Sequence, residues 1–393
     1  MKIAVCGLWH LGSVIAGCLA SVGHEVVGYD DSSAEPRPSE PGLQELLRAV
    51  RFTADRADAL RGAEVVWIAW DTPVDEDDRA DVDFVIARAE SLFEFLEEGA
   101  LVVVSSQLPV GSVARLERRC LRSLHFACAP ENLRLGKAVE AFTHADRFVI
   151  GTRDHADRAR LEVVLAPFGR PIEWMSVESA EMTKHALNAF LATSVAFINE
   201  ISVVCEQHGA DARDVARALK SDPRIGPRAY LNPGAAFAGG TLARDVQFLA
   251  PRSPMMAAVK ASNDRHRDWT RTKLLDILGA LRGKTIALWG LTYKPGTDTL
   301  RRSDAVALAR WLAGEGARAR AHDPAVRAVP DDVPVTLCAS PGDALRGSDA
   351  LVVATEWPAY RDTAIPPGTI VIDANGFLGP RDGVRVYSVG QRS

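Results

Sequence analysis

Lys2-Ile3-Ala4-Val5-Cys6-Gly7-Leu8-Trp9-His10-Leu11-Gly12 is the stretch whose reading decides the fold. A short β-branched run enters a glycine turn, and the turn feeds an apolar helix that reaches about Val22. Gly23-His24 ends that helix, Glu25 to Tyr29 forms the next strand, and Asp30 closes it. Strand, glycine turn, helix, strand and acid together describe a dinucleotide-binding βαβ unit. The turn residues Gly7, Trp9, His10, Leu11 and Gly12 are its candidate cofactor contacts, with the pyrophosphate at the helix N-terminus. Asp30 follows Gly7 by 23 residues, where a carboxylate takes the ribose hydroxyls and repels a 2′-phosphate. That favours NAD over NADP. Trp9 stands where the pattern has its middle glycine, and a bulky indole there could obstruct the pyrophosphate. The bland reading is a parallel-sheet βαβ unit with no ligand.

Outward from this unit, strands at Val65 to Trp70, Ala100 to Val104 and His125 to Cys128 run into turn residues. These are Asp71-Thr72-Pro73, Ser105-Ser106-Gln107-Leu108-Pro109 and Ala129-Pro130-Glu131-Asn132. Ligands bind outside the carboxyl ends of such strands, so Thr72, Pro73, Ser106 and Glu131 are site candidates. Strands at Asp146 to Ile150 and Ile172 to Met175 complete the first domain. A long helix covers Glu181 to Gln207, followed by helices at Ala212 to Leu219, Asp245 to Ala250 and Met256 to Leu281. Lys284 to Leu288 opens a second strand–turn–helix unit through Gly290, with a helix from Ser303 to Glu315 and a strand at Arg318 to His322 ending in Asp323. Strands at Ala350 to Ala354 and Ile370 to Ile372 follow. The chain reads α/β, helical, α/β: two Rossmann-like doubly wound parallel-sheet domains, 1–177 and 281–393, joined by a helical central domain, 178–280.

Composition bounds the function. The 393 residues exceed one ordinary core. A net charge of −5 with interspersed signs argues against a nucleic-acid surface. The six cysteines lack CxxC pairing and read as reduced residues of a cytoplasmic protein. No signal peptide precedes the first strand, and no metal site is read. Thr193, Ser194, Asn199 and Glu200 interrupt the most apolar helix, so no membrane span is expected.

Two further features carry chemistry. The loop Pro233-Gly234-Ala235-Ala236-Phe237-Ala238-Gly239-Gly240-Thr241-Leu242-Ala243-Arg244-Asp245 can approach a ligand closely and ends in a cation and a carboxylate. Its bland reading is a helix-capping turn. Glu181, Lys184 and Asn188 share a helix face by i, i+3 and i, i+4 spacing and suggest a lined site, against a merely solvated stripe.

These residues resemble the UDP-glucose/GDP-mannose dehydrogenase family over nearly the whole chain. The matching motifs are Gly7/Gly12 with Asp30, Glu40-Pro41-Gly42-Leu43, Thr72-Pro73, Pro130-Glu131 with Leu133-Arg134, and Lys184 with Asn188. Arg224-Ile225-Gly226, the glycine loop, Lys294 with Thr297-Asp298 and Arg301, and Thr355-Glu356-Trp357 complete the set. The resemblance implies a homodimer built on the central helices, NAD as cofactor and a nucleotide-sugar substrate oxidised twice through a cysteine-bound intermediate. It places Lys184, Asn188, Asp245 and Glu131 around the reacting carbon. By the same resemblance Arg301 meets cofactor or interdomain phosphates. The implied substrate contacts are Leu133, Arg134, Tyr230, Phe237, Gly239, Gly240, Arg244, Tyr293 and Lys294. Arg224 reaches a neighbouring subunit's ligand.

The departures are concentrated. Thr241 holds the loop-cysteine position, and a threonine hydroxyl is a poor nucleophile without an adjacent base. Arg244 replaces a lysine, Leu135 a second carboxylate, and Gln107 a threonine that helps place water. The groups for a first hydride transfer are kept, and those for covalent trapping and hydrolysis are depleted. The expectation is a two-electron oxidation of a UDP-hexose. Four-electron oxidation through the aldehyde hydrate, and an inactive nucleotide-sugar-binding subunit, stay open.

Overall fold

A computed structural model describes residues 1–31, 40–73, 75, 80–131, 133, 136–237 and 241–391. The chain divides into two compact units, Met1–Leu187 and Asn188–Ser393. The first unit holds strands β1 (Lys2–Cys6), β2 (Glu25–Tyr29), β3 (Arg51–Thr53), β4 (Val65–Ile68), β5 (Leu101–Val104), β6 (His125–Cys128), β7 (Phe148–Thr152) and β8 (Ile172–Met175). They form one eight-stranded sheet in the order β3-β2-β1-β4-β5-β6-β7-β8. The first six strands are the doubly wound dinucleotide-binding order, whose sequence reverses between β1 and β4.

One junction departs from a purely parallel sheet. β6 pairs with β7 antiparallel, through only Ala127↔Thr152 and Cys128↔Gly151. Strand direction cannot be read from hydrophobic runs, which look the same for both.

The first sheet is buried on both faces, as helices on both sides require. Ile3 and Val5 pack with Val14, Ile15 and Cys18 on one face. Ala4 and Cys6 pack with Ile68, Val85 and Val113 on the other. Each fully buried side chain of this size contributes about 1.5–3 kcal/mol.

The second unit holds β9 (Thr285–Trp289), β10 (Arg318–His322), β11 (Val335–Leu337), β12 (Ala350–Val353), β13 (Ile370–Ile372) and β14 (Arg385–Tyr387). Its parallel sheet runs β11-β10-β9-β12-β13-β14, the same winding as the first. The short edge strands β3, β11 and β14 escaped the sequence reading because their three residues mix polar with apolar, whereas the equally short β13 is the continuous apolar run Ile370-Val371-Ile372.

A helix of 32 residues, Val177–His208, passes from one unit into the other. It begins a turn before the sequence expectation. It is long and apolar enough to cross a membrane, with a mean hydropathy of 1.5 over its most apolar window, a property shared by core helices of soluble proteins. The expected single helix from Met256 to Leu281 is two, Pro254–His266 and Trp269–Leu278. The Asp268 N–H closes on the Arg265 carbonyl, a tightened turn that ends the first helix.

Glu181 does not line a ligand site with its helical neighbours. Its carboxylate accepts from the Gly111 and Val113 N–H groups at 2.7 and 2.9 Å, capping the helix Ser112–Arg119. Glu181→Ala leaves both N–H groups without that acceptor and should destabilise the chain by about 2 kcal/mol or more, read as a lowered urea midpoint with unchanged slope.

Candidate functional site

In the first unit, the carboxyl ends of parallel strands bring the candidate residues together. Gly7 has φ +96°, and its N–H donates to the Tyr29 carbonyl at 2.9 Å. A Cβ on Gly7 would lie 2.5 Å from the Trp70 backbone nitrogen, and one on Gly12 would lie 1.7 Å from the Gly7 oxygen. Both glycines are therefore demanded by the turn's own packing. The helix His10–Ser21 starts at Trp9 with no side-chain cap and no acid in its first turn. Its N–H groups and positive dipole end remain available to an anion. The Trp9 residue is 63% exposed, so the indole stands in solvent rather than filling the turn.

Asp30 is buried, and its Oδ2 accepts from the Leu8 N–H at 2.7 Å. It braces the turn. His10 Nε2 donates at 2.6 Å to Glu40 Oε1, a carboxylate that also accepts from the Gly136 and Ala138 N–H groups. Burial pushes the Glu40 carboxyl up, but these donors outweigh it and hold the group below its usual range. Glu40 was visible in the sequence only as part of a motif, because its donors lie near residue 137. Leu11 is half-buried against the core. Thr72 Oγ1 donates to the Gln107 carbonyl at 2.8 Å, and the Pro73 carbonyl accepts from Asp81. Ser106 Oγ and Trp70 Nε1 are buried with no hydrogen-bond partner among the described residues. Two orphaned polar atoms beside an uncapped helix and a bracing acid fit a dinucleotide.

Beyond β6, Lys184 Nζ donates to the Glu131 backbone oxygen at 2.7 Å. Burial pushes the Glu131 carboxyl up to about 8, against the opposing pull of Lys184. Residue 131 still shows some surface, so the low-dielectric setting belongs to its carboxyl rather than to the whole residue. Leu133 packs against the core, while Arg134 and Leu135 lie outside the described residues. Cys128 is buried, and its thiol is driven far above the range of a reactive thiolate.

In the second unit, Asn188 Nδ2 donates to Asp245 Oδ2, and both residues are buried. The loop ahead of Asp245 is tied down by side chains the sequence reading did not single out. Asn199 accepts from the Gly234 N–H, Asn375 from Ala235 and Asn263 from Phe237, and His266 donates to the Gly234 carbonyl. Phe237 is buried with Ala189, Ala192, Val246 and Val259, which makes it an anchor of the loop. Thr241 is exposed at the N-cap of the helix Leu242–Leu249 with no side-chain capping bond, and Arg244 is half-buried. Gly239 and Gly240 lie outside the described residues.

Lys294 Nζ sits 5.5 Å from the Tyr293 ring centre, and Arg301 is exposed. The Arg224 side chain is 87% exposed and pairs with Asp222 at 2.7 Å. Tyr230 is also exposed. A cavity of about 560 Å³, lined in part by Ala235, Arg267, Arg271, Asp304 and Asn375, lies outside the carboxyl end of β12. No sequence motif announced it, because its lining comes from six separate stretches.

A doubly wound sheet with an uncapped glycine turn and a bracing acid defines a dinucleotide-dependent dehydrogenase. The chain belongs to the UDP-glucose/GDP-mannose dehydrogenase family. Residues 1–169 match its NAD-binding domain, 178–264 its central domain and 287–380 its UDP-binding domain. A UDP-glucose 6-dehydrogenase of Pseudomonas aeruginosa is 37% identical, with 92% of this chain and 89% of that protein covered. A second UDP-glucose 6-dehydrogenase, of Bacillus subtilis, is 33% identical over 100% of this chain and 98% of its own length. The solved UDP-glucose dehydrogenase of Pyrobaculum islandicum matches with a TM-score of 0.88 at 31% identity, covering 100% of this chain and 98% of the other. The protein is an NAD-dependent nucleotide-sugar dehydrogenase, and NAD is its cofactor. The central-domain match takes in most of the long apolar helix and assigns it to that domain.

Asp30→Ala removes the acceptor of the Leu8 N–H and the carboxylate expected to read the ribose. It should weaken NAD about tenfold or more and narrow the gap to NADP, measured by fluorescence titration of both cofactors.

Glu131 gives a pH prediction. Its folded pKa of about 8 lies above the usual carboxylate value, so the folded state binds the proton more tightly than the unfolded state. The stability linked to that proton is fully present below the usual carboxylate range and is lost as pH rises through about 8. Glu131→Gln, which stays neutral, should flatten this decline in urea midpoints across the interval.

Proposed function

We propose that this enzyme oxidises a UDP-hexose, UDP-glucose foremost, and removes one hydride per sugar. The observation that carries the proposal is Thr241. By the resemblance it would hold the loop-cysteine position, and it stands at an uncapped helix start, where a thiol would be activated but a hydroxyl stays protonated. The names of the relatives support the substrate class.

NAD, when bound, accepts the hydride. The turn from Gly7 to Gly12 with Asp30, Thr72, Pro73, Ser106 and Arg301 would hold it. The Lys184 ammonium would stabilise the developing alkoxide of the sugar, and Glu131, in the ionised form it reaches as pH rises through about 8, would take the hydroxyl proton. Asn188 holds the Asp245 carboxylate, which would orient the hydroxyl or a water. Leu133, Arg134, Tyr230, Arg244, Tyr293 and Lys294 would contact the nucleotide sugar. Phe237 would set the shape of the Gly239-Gly240 loop against it.

The balanced step converts the alcohol and NAD⁺ to a carbonyl compound, NADH and one proton. An aldehyde so formed is not held covalently, and Gln107 and Leu135 supply less help in placing a hydrolytic water. The second reading is oxidation twice over, through the aldehyde hydrate, with the ionised Glu131 as base.

The division into domains 1–177, 178–280 and 281–393, a cytoplasmic location and a homodimer belong to the same proposal. Phe190, Phe197 and Val204 are exposed at seven-residue spacing on the long helix, a stripe suited to a second copy of that helix. Arg224 would cross to the partner's ligand. Sedimentation at several concentrations checks the dimer, and a concentration-independent monomer mass rules it out.

The deciding measurement counts NADH against consumed UDP-glucose and weighs the product. One NADH and a hydrazine-trappable carbonyl are expected. Two NADH with a uronic acid overturn the two-electron reading, and NAD binding without turnover of any UDP-, GDP- or dTDP-sugar would indicate a binding subunit. Lys184→Ala should lower kcat by about two orders of magnitude. A raised KM with unchanged kcat would instead make Lys184 a binding residue.

A further inference from the structure

At the opposite end of β6 from Glu131, three side chains distant in sequence converge. His125 begins that strand, Asp154 is the N-cap of the helix His155–Leu165, and Asp157 lies in that helix's first turn. One ligand atom from each can be chosen so that all lie within 4.8 Å of one another. His125 Nδ1 is 3.0 Å from Asp157 Oδ1 and 3.9 Å from Asp154 Oδ2. The other Asp154 oxygen accepts from the Asp157 N–H, so capping leaves Oδ2 on the imidazole side.

Asp157 is the unusual member. It is fully buried, and neither carboxylate oxygen has a hydrogen-bond partner among the described residues. Its Oδ1 is ion-paired with the imidazole Nδ1 at 3.0 Å, which leaves Oδ2 buried with no hydrogen-bond partner among the described residues. A buried carboxylate normally recruits donors or a cation, because an uncompensated one is costly. The nearby Arg160 donates to the Gly99 carbonyl at 2.6 Å rather than to either carboxylate.

We propose that His125, Asp154 and Asp157 bind a divalent transition-metal ion of the zinc type. A tetrahedral ion with bonds of about 2.0–2.1 Å sets its donor atoms about 3.3 Å apart, and the two observed separations bracket that spacing. One imidazole and two carboxylates suit zinc, with water in the fourth position. The ion would tie β6 to the helix after β7, at the junction where the sheet reverses on only two residue pairs. Its role would be to hold that seam. The sequence reading found no metal site because the three ligands are spread over 33 residues with no motif spacing.

The test uses full-length protein dialysed against chelator. Zinc is titrated by calorimetry and cobalt by visible absorption, with the melting temperature followed alongside. Expected are one ion per chain, cobalt bands of tetrahedral strength and a zinc-dependent rise in Tm. His125→Ala and Asp154→Asn should each weaken zinc by about tenfold or more and remove the Tm rise, while NAD titration stays unchanged as a check of folding. Absence of one-to-one binding, or a His125→Ala variant that binds zinc as the wild type does, overturns the proposal.

Discussion

The rest of the structure depends on one close backbone approach, made where a strand end meets its neighbour over a residue with no Cβ. At Gly7 the N–H reaches the Tyr29 carbonyl at 2.9 Å, and at Gly290 it reaches the His322 carbonyl at 2.8 Å. Both residues have positive φ, and an added Cβ would collide with the neighbouring strand end, at Trp70 in one case and Thr355 in the other. The acid closing the next strand then receives the N–H after the glycine, Leu8 to Asp30 and Leu291 to Asp323. The same local solution is thus built twice, once in each unit.

The two copies diverge in what the acid does. Asp323 accepts from Leu291, Thr292, Ala325 and the Trp357 indole, donors that outweigh its burial and hold its carboxyl below the usual range. That carboxylate is committed to internal bonds. The helix after the second turn starts at Ser303, whose side chain caps its own N–H groups. The helix after the first turn has no such cap. An uncapped helix start leaves its N–H groups open to a pyrophosphate, whereas the self-capped helix of the second unit spends its first N–H groups on Ser303.

The same contrast between satisfied and unsatisfied groups runs through the reacting residues. Glu131 is held largely protonated near neutrality by burial, Asp245 is bonded to Asn188, and the loop between Gly234 and Phe237 is fixed by four polar side chains. Rigid scaffolding around small residues is what a close backbone–ligand approach needs. Thr241 stands at the end of this scaffold with its hydroxyl unused as a cap.

Sequence alone determined that each end of the chain is a doubly wound α/β unit, because β-branched runs, glycine turns and closing acids leave a period and a spacing that can be read linearly. It also singled out Lys184, Asn188 and Asp245 as site candidates, since helical spacing and a glycine loop are local signals. Only the tertiary structure decided the remainder. Glu181 shares a helix face with Lys184, yet it was drawn away to cap Ser112–Arg119, a demand set by a neighbour about 70 residues earlier. Asn199, Asn263, His266 and Asn375 became loop anchors, and Glu40 became a partner of His10, through contacts between distant stretches. The reversal at β7 and the meeting of His125 with Asp154 and Asp157 arose in the same way. Periodicity reports which face of an element is buried. The donor or acceptor that a buried polar group finds there is settled only when the elements pack, because an unmet polar group is costly and takes whichever partner the fold brings within reach.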